Sequence, residues 1–259
     1  MKIFDCFPFF NELDLLEIRL NELNEIVDYF VIVEGENTWQ NNLKISHYLT
    51  NIDKFQKFKD KIILITVPAS KFNNDAWHNE RISWNSISEA LVNNATDSDL
   101  IMISALDEIP SAESIKEISN NYTSPCSVKM HLFYYFLNTK FKFIERDFWP
   151  GTYITKFSEL NISDIFKYIA TNRWEVNSIG YGWHFSFLGN HQTVYEKVHS
   201  YSHSEFNHFT ENHYKQRIET LSDPFNRDGE VRYEETIGLD KLPIYVQSNL
   251  TKYSKYIKK

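Results

Sequence analysis

A chain of 259 residues with a net charge of −8, from 27 Lys and Arg against 35 Asp and Glu, lacks the basic footprint that duplex DNA or an anionic membrane demands. Apolar residues at 42% and aromatics at 16% exclude a disordered chain, and only 7 Gly and 7 Pro exclude collagen-like and linker sequence. The length supports one large α/β domain or two small ones, and no apolar run approaches the roughly 20 residues of a membrane helix.

Lys2–Phe7 reads as a first strand. It leaves no room for a signal peptide, so a cytoplasmic location is expected. Asn11 is placed to cap a helix over residues 12–24, with Leu13, Leu16, Leu20 and Leu23 on one stripe and Glu12, Asp14, Glu17, Asn21 and Glu22 left mostly outward. Tyr29–Val33 and Ile62–Val67 are buried runs of strand length, the first ended by Glu34-Gly35 and the second by Pro68. A helix is expected across Trp77–Asn93. Leu100–Ile103 is the next apolar run, and it leads into Ser104-Ala105-Leu106-Asp107-Glu108-Ile109-Pro110. Wholly apolar strands separated by helices predict a parallel sheet covered on both faces, with ligands outside the carboxyl ends of the strands. Glu34 and the 104–108 turn fall at two such ends.

Beyond residue 110 the period changes. Val128, Met130, Leu132, Tyr134 and Phe136 alternate with Lys129, His131, Phe133 and Tyr135, predicting a longer strand that turns at Asn138-Thr139-Lys140 into Phe141–Ile144. A strand is expected at Trp183–Phe187, helices across 193–200 and 205–221, and a mobile loop over Asp223–Glu235 from its Asp-Pro and Asp-Gly turns. Cys6 and Cys126, each in apolar surroundings, read as buried free thiols. With no internal repeat and no clean linker, the expectation is one continuous domain over residues 1–259.

Five features carry chemistry. A carboxylate pair at Asp107-Glu108, on a loop fixed by Pro110, suits a hard dication that bridges a diphosphate; the same residues also suit an ordinary helix start with acids near the dipole. His184 to His213 holds six of the nine histidines. Among them His199 and His203 at i, i+4 suit a transition metal or simply solvated helix positions. Trp183-His184, next to glycines on an alternating strand, offers a stacking face and a hydrogen-bonding edge to a sugar ring, or else core aromatics. His203-Ser204-Glu205 sets an imidazole beside a carboxylate, the ingredients of a general base, or of a capped helix start. Arg81, between Trp77 and Trp84, fits either a diphosphate fork or a surface charge.

In their order along the chain these segments resemble glycosyltransferase family 17, the family of the β-1,4-mannosyl-glycoprotein 4-β-N-acetylglucosaminyltransferases. The matching segments are Phe4-Asp5-Cys6-Phe7, the stretch Asn11 to Leu23, Val27 to Glu34, the Asp-Glu-Ile-Pro turn, Gly182 to Gly189, Ser202-His203-Ser204-Glu205 and the closing Leu242-Pro243-Ile244-Tyr245-Val246. The resemblance implies a GT-A-like α/β fold: a mostly parallel, Rossmann-like N-terminal half (1–110) for the nucleotide sugar and a mixed C-terminal half (111–259) for the acceptor. It also implies a UDP-sugar donor such as UDP-GlcNAc, inversion at the anomeric carbon, a saccharide acceptor and use of Mn²⁺ or Mg²⁺.

Two positions depart from the family pattern. Ala105 stands where the first aspartate of the Asp-x-Asp turn belongs, and Trp84 where an arginine is usual. Loss of a ligand or supporting carboxylate commonly costs about 10–100-fold in metal affinity or activity. Asp107 with Glu108 then suffices, or the enzyme is weak, or the turn has been silenced. On this reading Asp5, Glu34, Arg81, Ala105 and Asp107 face the donor, and Asp107 with His203 holds the metal. Trp149, Trp183 and His184 face the acceptor, and Glu205 is the base, with Glu108 and Asp147 as competitors. The rival reading is a catalytically dead nucleotide-sugar or glycan binder.

Overall fold

Four runs rich in β-branched and aromatic residues open the fold: β1 (Ile3–Phe9), β2 (Tyr29–Gly35), β3 (Ile62–Val67) and β4 (Leu100–Ile103). In the computed structural model, which describes residues 1–259, they lie parallel in the order β3-β2-β1-β4. Phe4 sits opposite Tyr29, and Ile3 opposite Leu100. The crossovers carry α1 (Leu13–Leu23), α2 (His47–Thr50), α3 (Ala76–Asn85) and α4 (Ile87–Asn94). Side chains alternate along β1, so Phe7 and Phe9 join the core beneath α1 while Phe4 and Cys6 join the core beneath α4. Each buried phenylalanine contributes on the order of 1.5–3 kcal/mol.

The C-terminal half adds β5 (Glu108–Pro110), α5 (Ala112–Asn120), β6 (Cys126–Tyr134), β7 (Thr139–Phe143), β8 (Trp149–Lys156), α6 (Ile165–Asn172), β9 (Asn177–Ser186), α7 (His191–Val198), α8 (Glu211–Glu219), β10 (Val231–Thr236), α9 (Ile244–Ser248) and α10 (Leu250–Tyr253). β8 runs antiparallel to β4 and joins the halves into one mixed ten-stranded sheet. β9 lies parallel to β6 and carries β5 on its other edge. Both cysteines are buried and unpaired, as expected. No helix is long and apolar enough to cross a membrane.

Several local expectations are corrected. Helix α1 starts without an Asn11 cap; instead the Glu12 carboxylate accepts the Asn11 N–H at 3.2 Å. Its acids are not a solvated face. The tail covers them, with Lys252 and Tyr245 on Glu17 and Lys255 and Tyr256 on Asp14, while Glu22 is buried and accepts the N–H groups of Ala112 and Ile244. The expected helix Trp77–Asn93 is two, broken at Ser86, and the helix expected from 205 begins at Glu211. The stretch 223–235 is not a loop throughout. Its second half is the edge strand β10, held on β7 by main-chain pairing and by Lys140 and Lys142 reaching Glu234.

Candidate active site

The carboxyl ends of β1 and β4 frame a cleft of about 500 Å³. Its floor is the 104–108 turn, and the turn is built around one side chain. Arg19, fully buried on α1, donates from Nη1 to the carbonyls of Ala105 (2.7 Å), Leu106 (3.1 Å) and Glu108 (3.0 Å), and from Nη2 to Ser104 Oγ (2.7 Å). Its remaining N–H groups go to Asp5, which is equally buried. Asp5 is therefore the counter-ion of the arginine that folds the turn, walled off from the cleft. This corrects its expected role at the donor.

The turn presents Asp107 to the cleft and holds Glu108 back. Glu108 Oε1 accepts Trp149 Nε1 (2.5 Å) and Arg173 Nη2 (2.6 Å), and Oε2 accepts the Ala105 N–H (3.2 Å). With both oxygens engaged it fastens β8 and Arg173 to the turn and is not placed to take a proton. Asp107 Oδ2 accepts Lys197 Nζ at 2.6 Å, and Oδ1 faces His184 Nε2 at 3.7 Å. Burial alone would raise the Asp107 pKa, but Lys197 and then His184 hold it below the ordinary carboxylate value. Lys197, from the last turn of α7, also reaches Glu12 Oε1 at 3.1 Å. Despite its burial, Asp107 and Glu12 keep its ammonium firmly protonated. His184 is pushed down by burial, against the pull of Asp107 and Glu108, so the neutral ring dominates at pH 7.

Trp149 and His184 meet in the cleft, with ring centroids 5.5 Å apart, and the Arg173 guanidinium lies 4.9 Å from the Trp149 ring. Trp183 does not join them. Strand alternation turns it to the opposite face, where it is buried and donates to the Lys241 carbonyl at 2.9 Å. Glu34 is likewise corrected. Its carboxylate is buried and accepts Lys44, Ser46 and the N–H groups of His47 and Tyr48, so it seats α2 rather than touching ligand. Arg81 points away from the cleft to Asp164 in a half-exposed pair. Ala105 lies on the cleft wall; Asp147 is exposed and outside it.

The opposite wall holds Glu205, whose Oε1 meets His203 Nδ1 at 2.7 Å. Slight burial raises the Glu205 carboxyl pKa, but the hydrogen bond from His203 outweighs it and leaves the group below its ordinary value. Trp77 packs edge-on against His203, with centroids 4.6 Å apart. Glu80 lies behind them, accepting Ser202 Oγ and Trp84 Nε1, and burial raises its pKa in spite of those bonds. Trp84, at the second departure from the family pattern, is thus a cleft residue tied to an acid.

Sequence reasoning missed Arg19, Lys197, Arg173 and Glu80. Only an unusual arginine inside the leucine stripe of α1 could have signalled the first. Nothing local marks the others.

The donor set does not fit the expected dication. Ala105 offers no side-chain oxygen and its carbonyl is held by Arg19, both Glu108 oxygens are committed, and Asp107 already carries an ammonium. His203 is turned to Glu205, and no three His, Cys, Asp or Glu side chains converge anywhere.

An open α/β sheet with an acid-bearing cleft beyond its parallel strands is the arrangement of a small-molecule enzyme. The model of Glycosyltransferase family 17 matches residues 1–222, and the chain belongs to that family. It is a glycosyltransferase by membership. The match stops short of Leu242–Val246, so that closing segment lies outside it. A search of curated proteins finds no match. Among solved structures the chain is similar to a 4-diphosphocytidyl-2C-methyl-D-erythritol synthase, at 12% identity and a TM-score of 0.39 over 73% of this chain and 89% of that one. At that distance the likeness carries no argument about function.

Proposed function

We propose that the chain is an inverting glycosyltransferase on a GT-A-like single domain, moving a sugar, with N-acetylglucosamine the first choice, from a UDP-sugar to a saccharide hydroxyl. The observation that carries this reading is the cleft at the carboxyl ends of β1 and β4, floored by the Asp107 turn and lined, apart from Phe225 and Arg227, by residues within the matched range. The donor lies along the wall from Phe9 and Phe10 past Ala105 to Asp107. Trp149 offers an aromatic face to the acceptor ring, and neutral His184 offers it a hydrogen-bonding edge.

Transfer with inversion needs a base that takes the acceptor proton as its oxygen attacks the anomeric carbon and the diphosphate departs on the far side. Glu205 is the carboxylate best suited. It lines the cleft, is ionised at neutral pH, and is oriented by His203 rather than locked by a guanidinium.

The test is a screen of nucleotide sugars against saccharide acceptors, read by released nucleotide. Acceptor-dependent UDP release from one UDP-sugar supports the reading. Ala105 favours a second one, a nucleotide-sugar binder that has lost turnover; donor binding without release or transfer from any donor would establish that instead.

A further inference from the structure

We propose that Lys197 meets the charge of the donor diphosphate in the place where a dication was expected, so that this chain binds its nucleotide without a divalent metal. The inference rests on the glycosyltransferase reading above and specifies how its donor site works.

Of the turn's four cleft-lining positions, 105 is alanine, 106 is leucine, Glu108 is tied to Trp149, Arg173 and the Ala105 N–H, and Asp107 alone presents a free-standing carboxylate to the cleft. That carboxylate holds the Lys197 ammonium at 2.6 Å. A dication on the same oxygen would sit within one ligand distance of a fixed positive charge, so the two cations exclude each other.

Lys197 is built to stay. It projects from the last turn of α7, is four-fifths buried, and lies 5.6 Å from the Phe187 ring centroid. Its position does not depend on the turn alone, because Glu12 takes a second contact at 3.1 Å.

An ammonium has three N–H donors, and Asp107 and Glu12 use two. The third is available on the cleft side, where Lys197 forms part of the lining. The two carboxylates hold the side chain charged and aimed. The other cations of the cleft are committed elsewhere: Lys44 to Glu34, Arg173 to Glu108 and Arg227 to Asp223. Lysine serves as a compact point charge for phosphate. When the bond from the anomeric carbon to the phosphate oxygen breaks, its electron pair stays on that oxygen. An N–H of Lys197 donates to the new charge while the acceptor proton goes to the base, and no further co-reactant is required. Because the ammonium is shared with carboxylates, binding is expected to be modest and to weaken with salt.

The experiment is calorimetric titration of UDP into the full chain, in EDTA and in Mn²⁺, for the wild type, Lys197→Met and Lys197→Arg. Thermal unfolding of each variant checks that it is folded. The wild type should bind UDP with dissociation constants within about threefold of each other in the two buffers. In EDTA, Lys197→Met should lose about tenfold or more, and Lys197→Arg should recover most of that loss. Two results would overturn the proposal: wild-type binding that appears only with Mn²⁺, a comparison that needs no variant, or folded Lys197→Met that binds UDP in EDTA as well as the wild type. Both leave the glycosyltransferase reading standing. If no nucleoside diphosphate binds under either condition, the donor-site reading falls together with this one.

Discussion

Asp5 receives two hydrogen bonds from Arg19, at 2.6 and 2.8 Å, with neither side chain exposed. This pair joins the first strand to the first helix, and through three carbonyls it fixes the turn that presents Asp107. Removing one member leaves a buried charge without its partner, which typically costs about 3–5 kcal/mol. Arg19→Met should therefore lower stability by that order in denaturant titration and misplace the turn even where the fold survives. An Arg19→Met protein with wild-type stability and turnover would refute this account of the turn.

Glu205→Gln keeps the shape and the contact with His203 but removes the proton acceptor. Transfer should fall by about 10²–10⁴-fold, while UDP-sugar affinity changes little. His203 holds the carboxyl below its ordinary value of 4.5. The wild-type rate should therefore stay level from neutral pH down to that value and drop only below it. Steady-state kinetics across pH checks both statements.

The two tryptophans singled out for the acceptor should part company. Trp183 is a core residue, so Trp183→Ala should cost about 3–5 kcal/mol of stability. Trp149→Ala should raise the KM for the acceptor, although it also removes one donor from Glu108. Unfolding curves beside acceptor titrations separate the two effects.

Arg81 pairs with Asp164 on the surface, with more than half of its side chain exposed. Arg81→Ala should change stability by no more than about 1 kcal/mol and leave donor affinity unaltered. A large loss of UDP binding in this variant would restore Arg81 to the donor site.

Glu80 gives a pH signature of its own. Burial raises its folded pKa above the ordinary 4.5, so the folded state holds the proton more tightly than the unfolded state does. As pH rises from about 4.5 through the folded value, the unfolded chain releases its proton first, and folding stability falls. Glu80→Gln has no such proton. Its stability relative to wild type should improve as pH rises through that window and level off above it, as measured by denaturant unfolding at a series of pH values.

Much of the architecture was legible because the first four strands are continuous apolar runs and their burial depends on local pattern alone. The 104–110 turn was equally visible, since an acid pair before a proline at a strand end is a local signal. The partners of that turn were not. Arg19 reaches it from 86 residues away and Lys197 from 90, and neither separation leaves a trace in periodicity. The outward reading of Glu12, Glu17 and Glu22 failed for the same reason: the tail and α7 cover a helix face that a leucine stripe alone leaves polar. Trp183 and His184 read as a pair from adjacency, yet strand alternation sends them to opposite faces. The edge strand β10 was hidden because its outer residues are charged, as an exposed edge requires.

A crystal structure of the chain grown with UDP-GlcNAc tests most directly whether a nucleotide sugar seats against the Asp107 turn. The prediction is diphosphate density in the cleft, with an oxygen about 3 Å from Lys197 Nζ and the sugar lying between Asp107 and Glu205. A nucleotide bound elsewhere, with Lys197 still bridging Asp107 and Glu12 and the cleft free of ligand, would contradict it.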